Sequence, residues 1–159
     1  MLKSLITTAV VLSSAVFQPL SAHAASTARF YDALSLAGVR VIHQYTCDPH
    51  RLGWTAYYHS SDNHLCISHR IARNPQTLLN VLAHESIHAA QDCKAGRDNG
   101  RYAPLGVSTR GLTAQERSWV STESASESIY EVEAYVLAYQ PARALQLLKK
   151  YCGQIPFQH

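Results

Sequence analysis

The residues with the clearest chemical potential form the segment His84-Glu85-Ser86-Ile87-His88, which has the spacing His-Glu-x-x-His. On a helix, positions i and i+4 share one face with Cβ atoms about 6 Å apart, so both histidines can bind one tetrahedral metal ion at about 2.1 Å. Glu85, beside the first histidine, can take a proton from water activated by such an ion. The chain contains nine histidines, so the motif needs support from its surroundings.

The motif lies in a segment that predicts a well-formed helix. Asn74 is a good N-cap, and Pro75 suits the first helical position. From Gln76 to Asp92 the sequence contains no Gly or Pro. The predicted buried side comprises Leu79, Ala83, Ile87 and Ala90, whereas the motif residues share another side with Val81 and Asp92. This separation is what two metal ligands facing a cleft require.

The N-terminal residues have the three regions of an export signal. Lys3 supplies a positive charge, a mostly apolar run follows, and Ala-His-Ala at residues 22–24 fits a cleavage site. We therefore expect residues 1–24 to be a signal peptide and residues 25–159 to form a single domain. The apolar run is too short and too polar for a stable membrane span. The sequence thus predicts a secreted or periplasmic protein without stable membrane insertion after signal cleavage.

Four cysteines follow the expected cleavage site, and an even count behind an export signal predicts two disulfides. Of the three possible pairings we favour Cys47–Cys66, which closes a local loop, together with Cys93–Cys152, which ties the end of the motif helix to the C-terminus. A four-cysteine zinc site is disfavoured because the chain has no CxxC pair.

The charge distribution argues against a nucleic-acid partner. The net charge is only +3, and Lys149-Lys150 is the only adjacent basic pair. A nucleic-acid-binding surface needs a stronger and more clustered positive charge.

The remaining segments predict a small sheet and further helices. Residues 28–43 fit a helix that runs into an extended stretch. Two β-prone runs, Trp54 to Tyr58 and Leu65 to Ser68, predict a hairpin whose outer strand can pair with an extended peptide. The polar segments between these elements place His59, His64 and His69 at the surface or in turns, with His64 or His69 as a weaker candidate for transition-state hydrogen bonding. A long loop is expected over residues 94–111, and helices over 114–120, 124–139 and 142–151.

A hydrolytic zinc site needs a third protein ligand, which must come from outside the motif segment. The position six residues after the second histidine is Lys94, so a third histidine does not follow there. The predicted helix over residues 124–139 offers Glu127, Glu131 and Glu133. Glu131 shares a stripe with alanines that allow close packing on the motif helix, and we favour it. Glu133 points roughly 200° away and is expected to be a solvated charge, while Glu127 can replace Glu131 or hydrogen-bond a ligand.

With these motifs the chain resembles the gluzincin branch of the zincin metallopeptidases, in which HExxH is joined by a glutamate from a later helix. That glutamate often lies in an ExEA pattern, which residues 131–134 fit. The resemblance spans roughly residues 54–138 and implies an α+β fold, a small zincin-like domain whose hairpin or small sheet packs on a helical core with the motif helix. It implies Zn²⁺ as cofactor and hydrolysis of peptide bonds in a peptide or protein substrate. The implied ligands are His84, His88 and Glu131, and the implied general base is Glu85.

One position departs from the family pattern. Several gluzincins have Asp four residues after the ligand glutamate, where this chain has Tyr135. Asp92, one turn after His88, is a candidate to hydrogen-bond a ligand histidine instead. Tyr135 is a candidate catalytic residue that donates a hydrogen bond to the developing oxyanion, with a half-buried structural aromatic as the alternative.

Two other functions fit the same sequence. The chain can be a zinc-stabilised secreted binding or scaffold protein without catalysis, or a metal-free secreted module in which the motif is accidental. Glu85 argues against a purely structural zinc site, because holding the ion requires no base at that position. We therefore expect a zinc metallopeptidase.

Overall fold

The computed structural model describes residues 22–47, 56–97, 100–108, 110, 112–120 and 128–153. Residues 1–21 of the expected signal peptide lie outside this part of the chain. So do Trp54, at the start of the expected hairpin, and Glu127, one of the three candidate ligand glutamates.

Helices and a small sheet together give the expected α+β class. Along the chain the elements are α1 (Ala22–Leu36), β1 (Arg40–Gln44), β2 (Ala56–His59), β3 (His64–Ser68), α2 (His69–Ala72), α3 (Pro75–Ala95), α4 (Ala114–Val120), α5 (Ser128–Ala138) and α6 (Pro141–Cys152). The motif lies on α3, as predicted. The short helix α2, directly after β3, was not predicted.

The sheet has three strands in the order β1-β3-β2. The expected hairpin is present, since β2 and β3 are antiparallel with Tyr58 opposite Leu65. The extended stretch expected after α1 forms β1, but its parallel pairing with β3, which places Val41 opposite Leu65, was not predicted. Strand β3 is therefore central and mostly buried, whereas β2 lies at an edge among the described strands.

Helix α3 has the ends that its sequence signals predict. The Asn74 side chain accepts a hydrogen bond from the Thr77 N–H at 3.0 Å, and Pro75 occupies the first turn. At the other end Gly96 adopts a φ of 104°, a left-handed conformation that glycine takes without steric cost. These caps fix the length of the helix that carries the motif.

The core is built around α3, which packs against α1, α5, α6 and β2. Every residue from Glu85 to Cys93 is buried. The expected division into a buried side and a side facing a cleft therefore does not describe this half of the helix. Its polar residues are enclosed along with its apolar ones.

The disulfides join the favoured pairs. Cys47 bonds to Cys66, with their Cα atoms 5.5 Å apart, and Cys93 bonds to Cys152, with their Cα atoms 5.2 Å apart. The second bond links the last turn of α3 to the last residue of α6. Among the described residues, no helix is both long enough and apolar enough to span a membrane.

The two disulfides should differ in their contribution to stability. Cys93–Cys152 spans 59 residues and Cys47–Cys66 spans 19, and a longer closed loop removes more entropy from the unfolded chain. We expect Cys93→Ser with Cys152→Ser to lower the free energy of unfolding by about 4 kcal/mol, and the matched pair at 47 and 66 by about 3 kcal/mol. Urea denaturation of the two double variants measures this, and the reverse order would contradict it.

Candidate metal centre

The structure brings together the side chains of His84, His88 and Glu131. The two Nε2 atoms lie 3.2 Å apart. One oxygen of Glu131 lies 3.4 Å from His84 Nε2, and the other lies 3.2 Å from His88 Nε2. Two ligands that bind a tetrahedral ion at about 2.1 Å are about 3.4 Å apart. The spacing of these ligand atoms therefore fits a metal ion, with α3 supplying the two histidines and α5 the glutamate.

The hydrogen bonds of Gln91 orient the His88 ring for such a role. The Gln91 side-chain nitrogen donates to the carbonyl of Tyr130 at 3.1 Å and to Glu133 at 3.0 Å. Its amide oxygen therefore faces His88 Nδ1, 3.0 Å away, and must accept a hydrogen from it. In the neutral ring this leaves the lone pair on Nε2, directed toward His84 and Glu131. A cation between these atoms relieves the opposition of the lone pairs.

The electrostatics of the centre favour a positive charge. Burial disfavours a charged His88, but the negative charges of Glu131 and Glu85 and the hydrogen bonds that His88 donates to Glu131 and Gln91 outweigh it and raise the pKa of His88 to about 9. Burial opposes ionisation of Glu131 as well, yet His88 and His84 lower its pKa. Without a metal ion, a proton on His88 meets this demand for positive charge. A divalent ion would compete with that proton for Nε2.

Glu85 is buried beside these three side chains, but its carboxylate is not one of the three candidate ligands. Its side chain accepts a hydrogen bond from the backbone N–H of Tyr58 on β2 at 2.9 Å. Burial raises the pKa of Glu85, although His84 and His88 counteract the effect. The edge strand thus fixes the position of the carboxylate, and its surroundings make it more basic than an exposed glutamate.

Glu133 is not the solvated charge that its helical angle predicted. It is 1% exposed and accepts hydrogen bonds from three successive backbone N–H groups of the loop after α3, at 2.7 to 2.9 Å. It also accepts the hydrogen bond from Gln91. The three loop residues are Leu105, Gly106 and Val107. Glu133 therefore anchors a loop and supports His88 through Gln91, rather than competing with Glu131 as a ligand.

Asp92, the candidate hydrogen-bond partner of a ligand histidine, accepts a hydrogen bond from the hydroxyl of Tyr58 at 2.6 Å. Gln91 takes the place beside His88. The sequence could have indicated this contact, because Gln91 lies three residues after His88 and residues at this spacing are neighbours on a helix.

Each histidine of the centre is flanked by a tyrosine ring. Tyr135 contacts His84 edge to face, with ring centroids 4.7 Å apart. Tyr102, which sequence reasoning missed, lies 5.7 Å from the ring of His88. Tyr102 belongs to the loop that Glu133 anchors. Its place beside His88 therefore follows from tertiary contacts and not from a local sequence pattern. The centre is open on one side, since Glu131 retains 26% of its side-chain exposure and His84 retains 15%.

Comparison with known families gives a match for the region that contains this centre. Residues 52–153 match the family model described as Domain of unknown function (DUF8637). Comparisons with curated proteins and with solved structures give no significant match. The matched region includes the hairpin and helices α2 to α6, while α1 and β1 precede it.

The raised pKa of His88 predicts a pH dependence for the metal-free protein. Its value of about 9 exceeds the ordinary 6.5, so the folded state binds more protons between these values and stability falls as the pH rises. In chelator, the free energy of unfolding should fall by on the order of 2–3 kcal/mol from pH 6.5 to pH 9. Urea denaturation across this range measures the change.

Two variants identify the group responsible for this slope. His88→Gln should flatten the dependence, whereas the exposed control His69→Gln should retain it. Equal slopes in both variants would assign the effect to other groups.

The anchoring role of Glu133 predicts a large effect of Glu133→Gln. An amide offers one acceptor oxygen where the carboxylate accepts four hydrogen bonds, and its NH₂ group would face backbone donors. We expect a loss of about 3 kcal/mol in the free energy of unfolding. Asp32→Asn, an exposed substitution of the same chemistry on α1, should change stability by less than about 0.5 kcal/mol. Denaturation midpoints compare the two, and a similar small loss in both would refute the anchoring role.

Proposed function

The chain belongs to the DUF8637 family, and we propose from its own site that it is an exported zinc metallopeptidase. His84, His88 and Glu131 are its metal ligands, and Glu85 is its general base. The observation that carries the proposal is the arrangement of Glu85, a buried carboxylate fixed beside three ligand-type side chains on two helices. A purely structural zinc site has no use for such a group.

The ligand set suits zinc. Two imidazoles and one carboxylate form a His₂Glu set, and a fourth position left open is typical of hydrolytic zinc sites. Bound zinc would polarise the scissile carbonyl and make a water molecule more acidic. The partial exposure of His84 and Glu131 leaves an approach to the centre.

Glu85 performs the proton transfers in this proposal. It accepts a proton from the attacking water and delivers it to the leaving amine. Its raised pKa suits a base that works near neutral pH. The N–H of Tyr58 holds the carboxylate in place throughout.

The edge strand β2 supplies a binding surface for an extended peptide. The N–H of Tyr58 points to Glu85 and therefore away from β3. N–H and C=O groups of alternate residues point to the same edge of a strand, so those of Ala56 lie on this outer edge too. A substrate strand that hydrogen-bonds there would lie beside the general base, which agrees with a peptide or protein substrate.

Tyr135 is the proposed donor to the developing oxyanion. Its ring lies against His84, which brings the phenol close to the centre. A hydrogen bond that strengthens as charge develops on the carbonyl oxygen lowers the barrier.

A small zincin-like arrangement and an exported location complete the proposal. Three features support the zincin-like arrangement: the motif helix, a second helix with the proposed ligand glutamate, and an edge strand beside the proposed base. The two disulfides support a secreted or periplasmic location, because such bonds persist in oxidising compartments.

The test compares Glu85→Gln with Glu131→Gln. Glu85→Gln should retain zinc but reduce cleavage of a fluorogenic peptide library by about 100- to 10,000-fold, because it removes the base and not a ligand. Glu131→Gln should lower both zinc affinity and cleavage. Metal analysis after dialysis and the initial cleavage rate give the two measurements.

Three results would overturn the proposal. Full cleavage by zinc-loaded Glu85→Gln would exclude the assigned base. Zinc without cleavage in the unaltered protein would favour a scaffold role, and the absence of stoichiometric zinc would favour a metal-free module.

A further inference from the structure

The tip of the hairpin carries a second group of ligand-type side chains. His59 ends β2 and His64 begins β3, and these residues lie directly opposite each other in the strand pairing. Asp62 lies in the turn between them. The cluster is on the hairpin and is composed of different residues from those of the centre between α3 and α5.

The Nδ1 atoms of both imidazoles face the carboxylate of Asp62. His64 Nδ1 lies 2.7 Å from one oxygen of Asp62, and His59 Nδ1 hydrogen-bonds the other. The two rings are stacked, with centroids 5.2 Å apart and an angle of 18° between their planes. One ligand atom from each residue lies within 4.8 Å of the other two. This convergence is what a metal ion with three protein ligands requires.

The turn that carries Asp62 is held by hydrogen bonds of its neighbour Asn63. Asn63 has a positive φ of 49°, and its side-chain nitrogen donates to the carbonyl of Gly38 at 2.9 Å. Its side-chain oxygen lies 2.9 Å from the hydroxyl of Tyr58, and its backbone carbonyl accepts a hydrogen bond from the N–H of Arg40. The turn is thereby fixed to the start of β1 and to a buried tyrosine. The fold therefore orders the three ligands before any ion binds, so binding loses less conformational entropy.

We propose that His59, Asp62 and His64 form a second site for a divalent transition-metal ion, with Zn²⁺ as the probe of its chemistry. Imidazole nitrogen suits zinc, copper and nickel, whereas calcium and magnesium prefer all-oxygen sites. The three side chains are 40%, 48% and 19% exposed, so water completes the coordination and the ion exchanges with solvent. The sequence interpretation of His59 and His64 as turn residues omitted this role, because the turn geometry that brings them together was not visible.

The experiment counts zinc ions bound to the full disulfide-bonded chain after removal of metal with a chelator. Calorimetric titration with zinc should give two ions for the unaltered protein. His64→Gln and Asp62→Asn should each lower the affinity for one zinc ion by on the order of 100-fold or more. Loss of a ligand reduces affinity at least as much as loss of a residue that hydrogen-bonds a ligand. His69→Gln, an exposed histidine outside the cluster, should still bind two, and excess calcium should displace neither ion.

His84→Gln separates this site from the proposed catalytic one. It should remove the other ion and leave the hairpin ion bound. A single ion that His84→Gln removes and His64→Gln does not would overturn the hairpin site while leaving the peptidase proposal intact. A single ion lost only in His64→Gln would support the hairpin site and overturn the peptidase proposal. Circular dichroism in chelator checks folding, and Asp62→Asn, nearly the same shape as the native residue, provides the result if His64→Gln does not fold.

Discussion

The need to satisfy polar groups inside the protein governs the structure around α3. Glu85, His88, Gln91 and Asp92 are all buried on this helix, and a buried polar group without a hydrogen bond costs of the order of 1–3 kcal/mol. The partners come from elements distant in sequence. Strand β2 serves Glu85 and Asp92 through the backbone and side chain of Tyr58. Helix α5 serves the other two through Glu131, Glu133 and the Tyr130 carbonyl. The polar side chains therefore specify how the strand and the second helix pack on α3.

This requirement also organises the loop that follows α3. Glu133 collects three backbone N–H groups of the loop and the amide of Gln91 around one buried carboxylate. The same loop places Tyr102 against His88. Glu133 thus links the stability of the protein to the geometry of the centre, although it is neither a proposed ligand nor the proposed base.

The sequence was sufficient where local rules operate. Asn74 and Pro75 located the start of α3, and the HExxH spacing brought two histidines to one face, because helix geometry depends on nearby residues. The hairpin also followed from the sequence pattern, and the observed disulfides are the favoured set among three possible pairings. Glu133 could not be placed in this way. Its angle on the helix indicates that it points away from α3, but not that a loop crosses that side and covers it. The same holds for the pairing of β1 with β3, since pairing with a strand that is not its neighbour in sequence leaves no local pattern. The position of Glu131 beside the two histidines was predicted from its stripe of alanines, whereas the hydrogen bonds of Gln91 depend on the positions of both helices.

The choice of an amide beside His88 has an electronic consequence. Where a carboxylate accepts the Nδ1 hydrogen of a ligand histidine, it makes the imidazole a stronger electron donor. Gln91 is neutral and cannot take that proton, so it separates the charge of Glu133 from the ring while still fixing its orientation. A metal ion held by such a ring would keep more of its own positive charge. Gln91 would therefore preserve the electrophilic character of the proposed metal centre.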